Sequence, residues 1–202
     1  MTATETMLRA ETFAERRRLA DLLTELTPAQ WETPSLCAGW QVRQVVAHIT
    51  LAYRHSALRV IAGIIAAGGN FNRFSDRIAH RDTARLSDAE LLTSLRTNIE
   101  HPWRPPRGGQ RGALAHDVFH GLDITEPLGL TGPAPDRIAL AIGDPDRRAL
   151  AYFGVHLDGI ALEATDTDLR IGDGTPIPLA AKDIALIVGG RRPVPAIDDG
   201  RG

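Results

Sequence analysis

Apolar side chains recur at steps of three and four residues through most of the first 126 positions, and Pro or Gly interrupts them often enough to cut the pattern into separate helices. From about Glu5 to Leu26, Leu8, Phe13, Leu19, Leu22, Leu23 and Leu26 stand among charges, which predicts an amphipathic first helix ending before Pro28. Thr27 to Gly39 reads as a loop broken by Pro34, Ser35 and Gly39, with Trp31 and Trp40 as its anchors to the core. A second helix is expected from about Gln41 to Ala67, with Val42, Val45, Val46, Ile49, Tyr53 and Leu58 apolar and Gly68 and Gly69 as its stop. The stretch after it is less regular. Ser87-Asp88-Ala89-Glu90 is a capping-box pattern that starts a third helix, and Pro102 ends that helical segment. Arg104 to Gly112 is a loop rich in Pro and Gly, and a fourth helix from about Ala113 to Glu126 turns Leu114, Val118 and Leu122 inward. The fold class these segments predict is mainly α, a four-helix bundle, and such bundles place metal and cofactor sites between facing helices.

The period changes further on. Pro135 to Phe153 has helical stretches broken at Asp144-Pro145; from Leu157 Ile160, Leu162 and Ala164 alternate with other residues, and Leu169 with Ile171 restarts the alternation as in a hairpin. A short helix, Ala180 to Val188, closes the fold, and Gly189 to Gly202 carries Pro, Gly and charge with little to bury. The expected division is a helical domain over 1–134, a small α+β domain over 135–190 and a flexible tail over 191–202.

Composition narrows the function classes. Apolar residues at 43% and charged residues at 24% are those of an ordinary globular chain, and a net charge of −2 offers no basic surface for nucleic acid. The single cysteine, Cys37, excludes an intramolecular disulfide, a cysteine-based zinc site and a CxxC pair. The first residues lack the apolar run of a signal peptide, and Val60 to Ala67 is far too short to span a membrane, so the expectation is a cytoplasmic protein without a membrane partner. Only Lys182 among 23 basic residues is lysine, which with abundant Ala and Gly fits a GC-rich genome.

His116 and His120 are four apart on the fourth expected helix, so both imidazoles share a face and can reach one ion. His48 lies three after Val45 and one before Ile49, on the inward side of the second helix, where it can add a third nitrogen from across the bundle. Three neutral imidazoles leave a coordination position open, which is the mark of a catalytic rather than structural metal. On spacing alone, a hydrogen-bonded core histidine or a chance HxxxH pair is the commoner reading. His55 follows His48 by seven and stands about 10 Å further along a continuous helix, too far to join it; His80, His101 and His156 read as surface residues.

Two signatures then carry a resemblance. Trp31, the run Pro34-Ser35-Leu36-Cys37-Ala38-Gly39-Trp40 and the run from Gln41 to Ala47 ending in His48 resemble the first signature of the mycothiol-dependent maleylpyruvate isomerase family, within the DinB/YfiT-like superfamily. His116, four before His120, followed by Gly121, Asp123, Ile124 and then Pro127-Leu128-Gly129, resembles the second. Gly159 to Ala164, Thr165-Asp166-Thr167 and Gly172 to Gly174 are similar to the family's C-terminal part. The resemblance implies a DinB/YfiT-like four-helix bundle with a small C-terminal α+β appendage, and a divalent metal on His48, His116 and His120. Zinc is the expected ion, with Ni2+ or Fe2+ also accepted by three imidazoles. It further implies mycothiol as cosubstrate, activated as a metal-bound thiolate for S-transfer or isomerisation of a small electrophile; the partners are thus a small-molecule thiol and an electrophile, and the assembly a monomer or homodimer. The isomerase branch tends to have glutamate where this chain has His116, and a neutral ligand leaves more positive charge on the ion. That departure resembles the thiol-transferase members.

Two other functions fit parts of the pattern: a zinc hydrolase in which Asp117 of His116-Asp117-Val118-Phe119-His120 serves as general base, and a metal-containing binding or stress-response protein without turnover. Asp123, three after His120, can accept a hydrogen bond from a ligand imidazole or lie solvated at the helix end. Arg77 and Arg81 are the candidate cofactor- and substrate-binding residues, placed where a carboxylate would be met, and Arg104, Arg107 and Arg111 form a basic loop; solvated surface is the plainer reading of all five. Cys37, between Leu36 and Ala38, reads as a small packed residue with no catalytic role.

Overall fold

The computed structural model describes residues 2–196, and in it side-chain capping sets the helix boundaries. Helix α1 (Ala3–Thr24) opens on a reciprocal box in which Glu5 N–H donates to Thr2 and Thr2 N–H donates to the Glu5 carboxylate. The same device, Thr27 with Gln30, folds α2 (Pro28–Trp31) inside the segment expected to be a loop. The single helix expected over 41–67 is instead three: α3 (Val42–Ile49), α4 (Leu51–Arg54) and α5 (Ala57–Ala66). Thr50 Oγ donates back to the Val46 carbonyl and leaves the helical basin at ψ 2°, His55 is extended, and Ser56 caps the restart. The less regular stretch holds α6 (Phe71–Thr83), capped by Asn70 and burying Phe74, Ile78 and Ala79 on one face.

The predicted Ser87–Glu90 box is present and starts α7 (Asp88–Arg96). Helix α8 (Gly109–Leu128) starts within the expected loop and runs through Pro127 to Gly129, whose φ of 64° supplies the left-handed cap. Beyond it come α9 (Pro135–Ile142), α10 (Arg147–Tyr152), strands β1 (Ile160–Ala164), β2 (Arg170–Ile171) and β3 (Thr175–Leu179), and α11 (Ala181–Val188). The chain is therefore mainly helical, with a small three-stranded sheet near its end. None of the described helices is long and apolar enough to cross a membrane.

The structure divides into Met1–Thr131 and Gly132–Gly202. In the first unit α1 packs on α7 and α8, and α3 packs on the same two, so these four close a ring around the core, with α6 against the outer side of α3. Leu19, Leu23, Val45, Val46, Ile49, Leu91, Leu95 and Ile124 fill it. Each such side chain contributes about 1.5–3 kcal/mol on full burial, which fixes α3 and α8 side by side where their histidines stand. A smaller cluster of Leu51, Ala67, Phe74 and Ile78 joins α5 to α6, where the ring of Phe74 lies so close to Gly63 that a Cβ there would come within 2.3 Å of it.

In the second unit β1 pairs antiparallel with β2, Leu162 opposite Ile171, as the hairpin pattern predicts. The unpredicted β3 pairs parallel to β1 on its other side. Its Pro176 and Pro178 alternate with Thr175, Ile177 and Leu179, so the missing N–H groups fall on the outer edge while Thr175 N–H donates to Gly159. Helix α11 packs on β1 and α9, burying Ala161, Leu162, Ile138 and Ile184. Of the segment expected to be a free tail, Arg191 and Arg192 donate backbone N–H groups to the Leu186 carbonyl, and 197–202 lie outside the described residues.

Candidate metal centre

His48, in the last turn of α3, and His116 and His120, one turn apart on α8, face one another across the α3–α8 contact. Their ring centroids lie 4.7–5.2 Å apart, and one ring nitrogen of each falls within 4.8 Å of the others. The Nε2 atoms of His48 and His116 are 3.3 Å apart. Two nitrogens bound to one tetrahedral ion at about 2.0–2.1 Å lie about 3.3–3.4 Å from each other, so this pair already has the separation of a coordination edge.

Two buried carboxylates stand behind the rings. Asp117 Oδ1 accepts from His116 Nδ1 at 2.9 Å, and Asp123 Oδ2 accepts from His120 Nδ1 at 2.9 Å. Each contact assigns the proton to Nδ1 and makes Nε2 the lone-pair nitrogen, the arrangement that orients imidazoles toward a metal. Asp117 is in turn held by Arg16, whose Nε donates to Oδ2 at 2.7 Å and whose Nη1 donates to the carbonyls of Ile99 and His101. Burial would raise the Asp117 pKa, but the His116 hydrogen bond and the Arg16 charge outweigh it and hold the carboxyl below its ordinary range. His48 lacks such a partner at its buried Nδ1 among the described residues. Burial, reinforced by the neighbouring His120 and His116 and opposed by Asp123, pulls its pKa well below the ordinary value, so it stands neutral as a ligand must.

The structure brings together the three predicted histidines and Asp123, which is fully buried rather than solvated at the helix end. It also brings in Cys37, read from the sequence as mere packing: Sγ donates to Asp123 Oδ2 at 3.0 Å and lies 3.9 Å from His120 Nδ1. Cys37, Asp123 and His120 form a second possible ligand group, but it uses the opposite edge of the His120 ring. Arg77 is exposed on α6, and Arg81 pairs with Asp82; among the described residues no contact links either to the histidines. His55 pairs with Asp82 at 2.7 Å, away from the cluster. His101 is not a plain surface residue, since its ring lies 4.8 Å from that of Tyr53 and its Nδ1 accepts from Trp103 N–H. Aromatic rings line the cluster: Trp40 at 5.2 Å and Phe71 at 6.5 Å from His48, and Trp103 at 5.0 Å from His116. Trp40 is pinned by its indole N–H on Asp76 of α6, so a helix that the apolar pattern does not reveal supplies one wall of the site.

Comparison with known families adds the decisive observation: the model of the mycothiol maleylpyruvate isomerase N-terminal domain matches residues 12–117. The chain belongs to that family. The matched span contains His48 and His116 and ends before His120. Two uncharacterized proteins of Mycobacterium tuberculosis, one from strain CDC 1551 and one from strain H37Rv, are each 28% identical over 170 residues. The similarity covers 72% of this chain and 62% of theirs, so the chain spans less than two thirds of the length of these relatives. No solved structure matches.

Proposed function

We propose that this protein is a metal-dependent enzyme that uses a low-molecular-weight thiol, mycothiol, for S-transfer to, or isomerisation of, a small electrophile. The observation that carries this reading is the convergence of three imidazoles, two of them turned Nε2-first by buried carboxylates. The donor set fits a divalent ion, zinc first, held by His48, His116 and His120 with at least one position left for a ligand. Bound there, the ion would supply Lewis-acid stabilisation of a thiolate, and so raise the fraction of a thiol of pKa about 8.5 that is nucleophilic at neutral pH. Asp117 and Asp123 hold the two α8 imidazoles in their tautomers. Arg16 holds Asp117, and Trp40, Phe71 and Trp103 offer apolar faces beside the histidines.

The same contacts weigh against hydrolysis. A general base needs a free oxygen within reach of water, whereas Asp117 has Oδ1 engaged by His116 and Oδ2 by Arg16. The test is thiol-dependent conversion of a panel of electrophiles by the metal-loaded protein with mycothiol, against His120→Ala, with loss of the thiol marking transfer and its recovery marking isomerisation. Ion- and thiol-dependent conversion lost in the variant is the expected result. Turnover with water alone would point to the hydrolase, and no turnover to a metal-containing binding protein.

A further inference from the structure

A cleft of about 250 Å3 lies beside the histidines, between α1, the 101–104 segment and the start of α8. Its walls carry three guanidinium groups, Arg9, Arg16 and Arg104, together with Thr12, His101 and Gln110, and no carboxylate, in a chain whose net charge is −2. Arg16 is neutralised by Asp117, whereas Arg9 and Arg104 bring like charges to the cleft mouth, and their mutual repulsion, screened by solvent, is one that a bound anion offsets. Arg9 and Arg104 are exposed, and neither has a hydrogen-bond or ion-pair partner among the described residues; Arg9 lies over the Phe13 ring at 5.2 Å. Glu5 feels Arg104, but its carboxylate is committed to the Thr2 cap. Arg16 is 1% exposed and its guanidinium lies over the Tyr53 ring at 5.4 Å; Asp117 and two carbonyls take its Nε and Nη1, while the buried Nη2 has no hydrogen-bond partner among the described residues. His101 Nδ1 accepts from Trp103 N–H, which leaves the ring proton on Nε2 as a further donor.

We infer that this cleft is an oxyanion-binding site for a carboxylate or phosphate group, with Arg9 and Arg104 as its ion-pairing residues and Arg16 at its buried wall. Guanidinium groups present paired N–H donors that match both anions. The volume holds one such group with several waters, each occupying about 30 Å3, and not a large ligand. Two features join the site to the histidines: Trp103 lines the cleft with its ring 5.0 Å from that of His116, and Arg16 supports the carboxylate that orients His116. The anion is thus either free or the charged arm of a molecule whose other end reaches the metal centre.

Calorimetric titration of the full chain with inorganic phosphate, at constant ionic strength set with chloride, tests the site. Saturable binding should appear in the wild type and weaken at least about tenfold in Arg9→Gln/Arg104→Gln, both exposed positions. Binding absent from the wild type, or equal in the two proteins, would overturn the inference. Phosphate binding kept in His120→Ala separates this site from the metal reading, so either can fail alone. With the site established, thiol-dependent conversion kinetics on matched electrophiles with and without a carboxylate identify the source of the anion. A variant KM raised only for the charged member assigns the site to the substrate's arm, and unchanged kinetics for both assign it to a free anion.

Discussion

Replacing Asp123 by asparagine keeps the shape of the side chain and removes its charge at a position with 0% exposure. In the native protein one oxygen accepts from His120 Nδ1 at 2.9 Å and from Cys37 Sγ at 3.0 Å. Asparagine still offers an amide oxygen to the imidazole, but the charge-assisted bond of about 1.5–3 kcal/mol becomes a neutral one of about 0.5–1.5 kcal/mol. The difference, about 1–2 kcal/mol, is roughly a five- to thirtyfold loss of metal affinity, which overlaps the lower part of the range of about 10–100-fold seen when partners of ligating histidines are removed. Competition against a chromophoric zinc chelator measures it, with circular dichroism to show that the bundle is intact. A folded Asp123→Asn protein whose affinity stays within about twofold of the wild type would refute the idea that this carboxylate prepares His120 for a metal.

Cys37→Ala should keep full metal content, because the sulfur lies at the Nδ1 edge of His120 that Asp123 occupies; loss of the ion would move the site to the Cys37, Asp123 and His120 group. Arg16→Met strands a buried carboxylate and frees the carbonyls of Ile99 and His101, so urea denaturation should show a loss of about 3–5 kcal/mol, and a loss under about 1 kcal/mol would contradict it. For acid stability, burial would raise the Asp82 pKa, but hydrogen bonds from His55 and Arg54 win and lower it. A carboxyl depressed in the folded state contributes stability above its unfolded pKa of about 3.9 and loses it as pH falls through the folded value. The Tm advantage of wild type over Asp82→Asn should therefore shrink as pH falls below about 4; a gap independent of pH between about 4 and 2 would count against it.

Local rules are readable from the chain and distant ones are not. The Ser87–Glu90 box and the shared face of His116 and His120 depend on residues three and four apart, and both stand in the structure. The breaks at Thr50 and His55 are invisible in the sequence because apolar periodicity continues across them while a side-chain hydroxyl and a new cap end the helix. Helix α6 is hidden by its many charges, with Phe74, Ile78 and Ala79 the main apolar residues of its buried face, and β3 by Pro176 and Pro178, which only an edge strand tolerates. Arg16 meets Asp117 across 101 residues and Cys37 meets Asp123 across 86, so no spacing rule could have paired them. These contacts hold the His116 and His120 imidazoles from behind. Sequence spacing pointed to the three histidines, and the structure adds what orients two of them.

Whether His48, His116 and His120 hold one divalent ion is decided most directly by elemental analysis of the purified chain, alone and after reconstitution with zinc, against a folded His120→Ala variant. About one equivalent per chain in the wild type, with loss in the variant, is the predicted result. Full metal content in His120→Ala, or no stoichiometric metal in the reconstituted wild type, would contradict it.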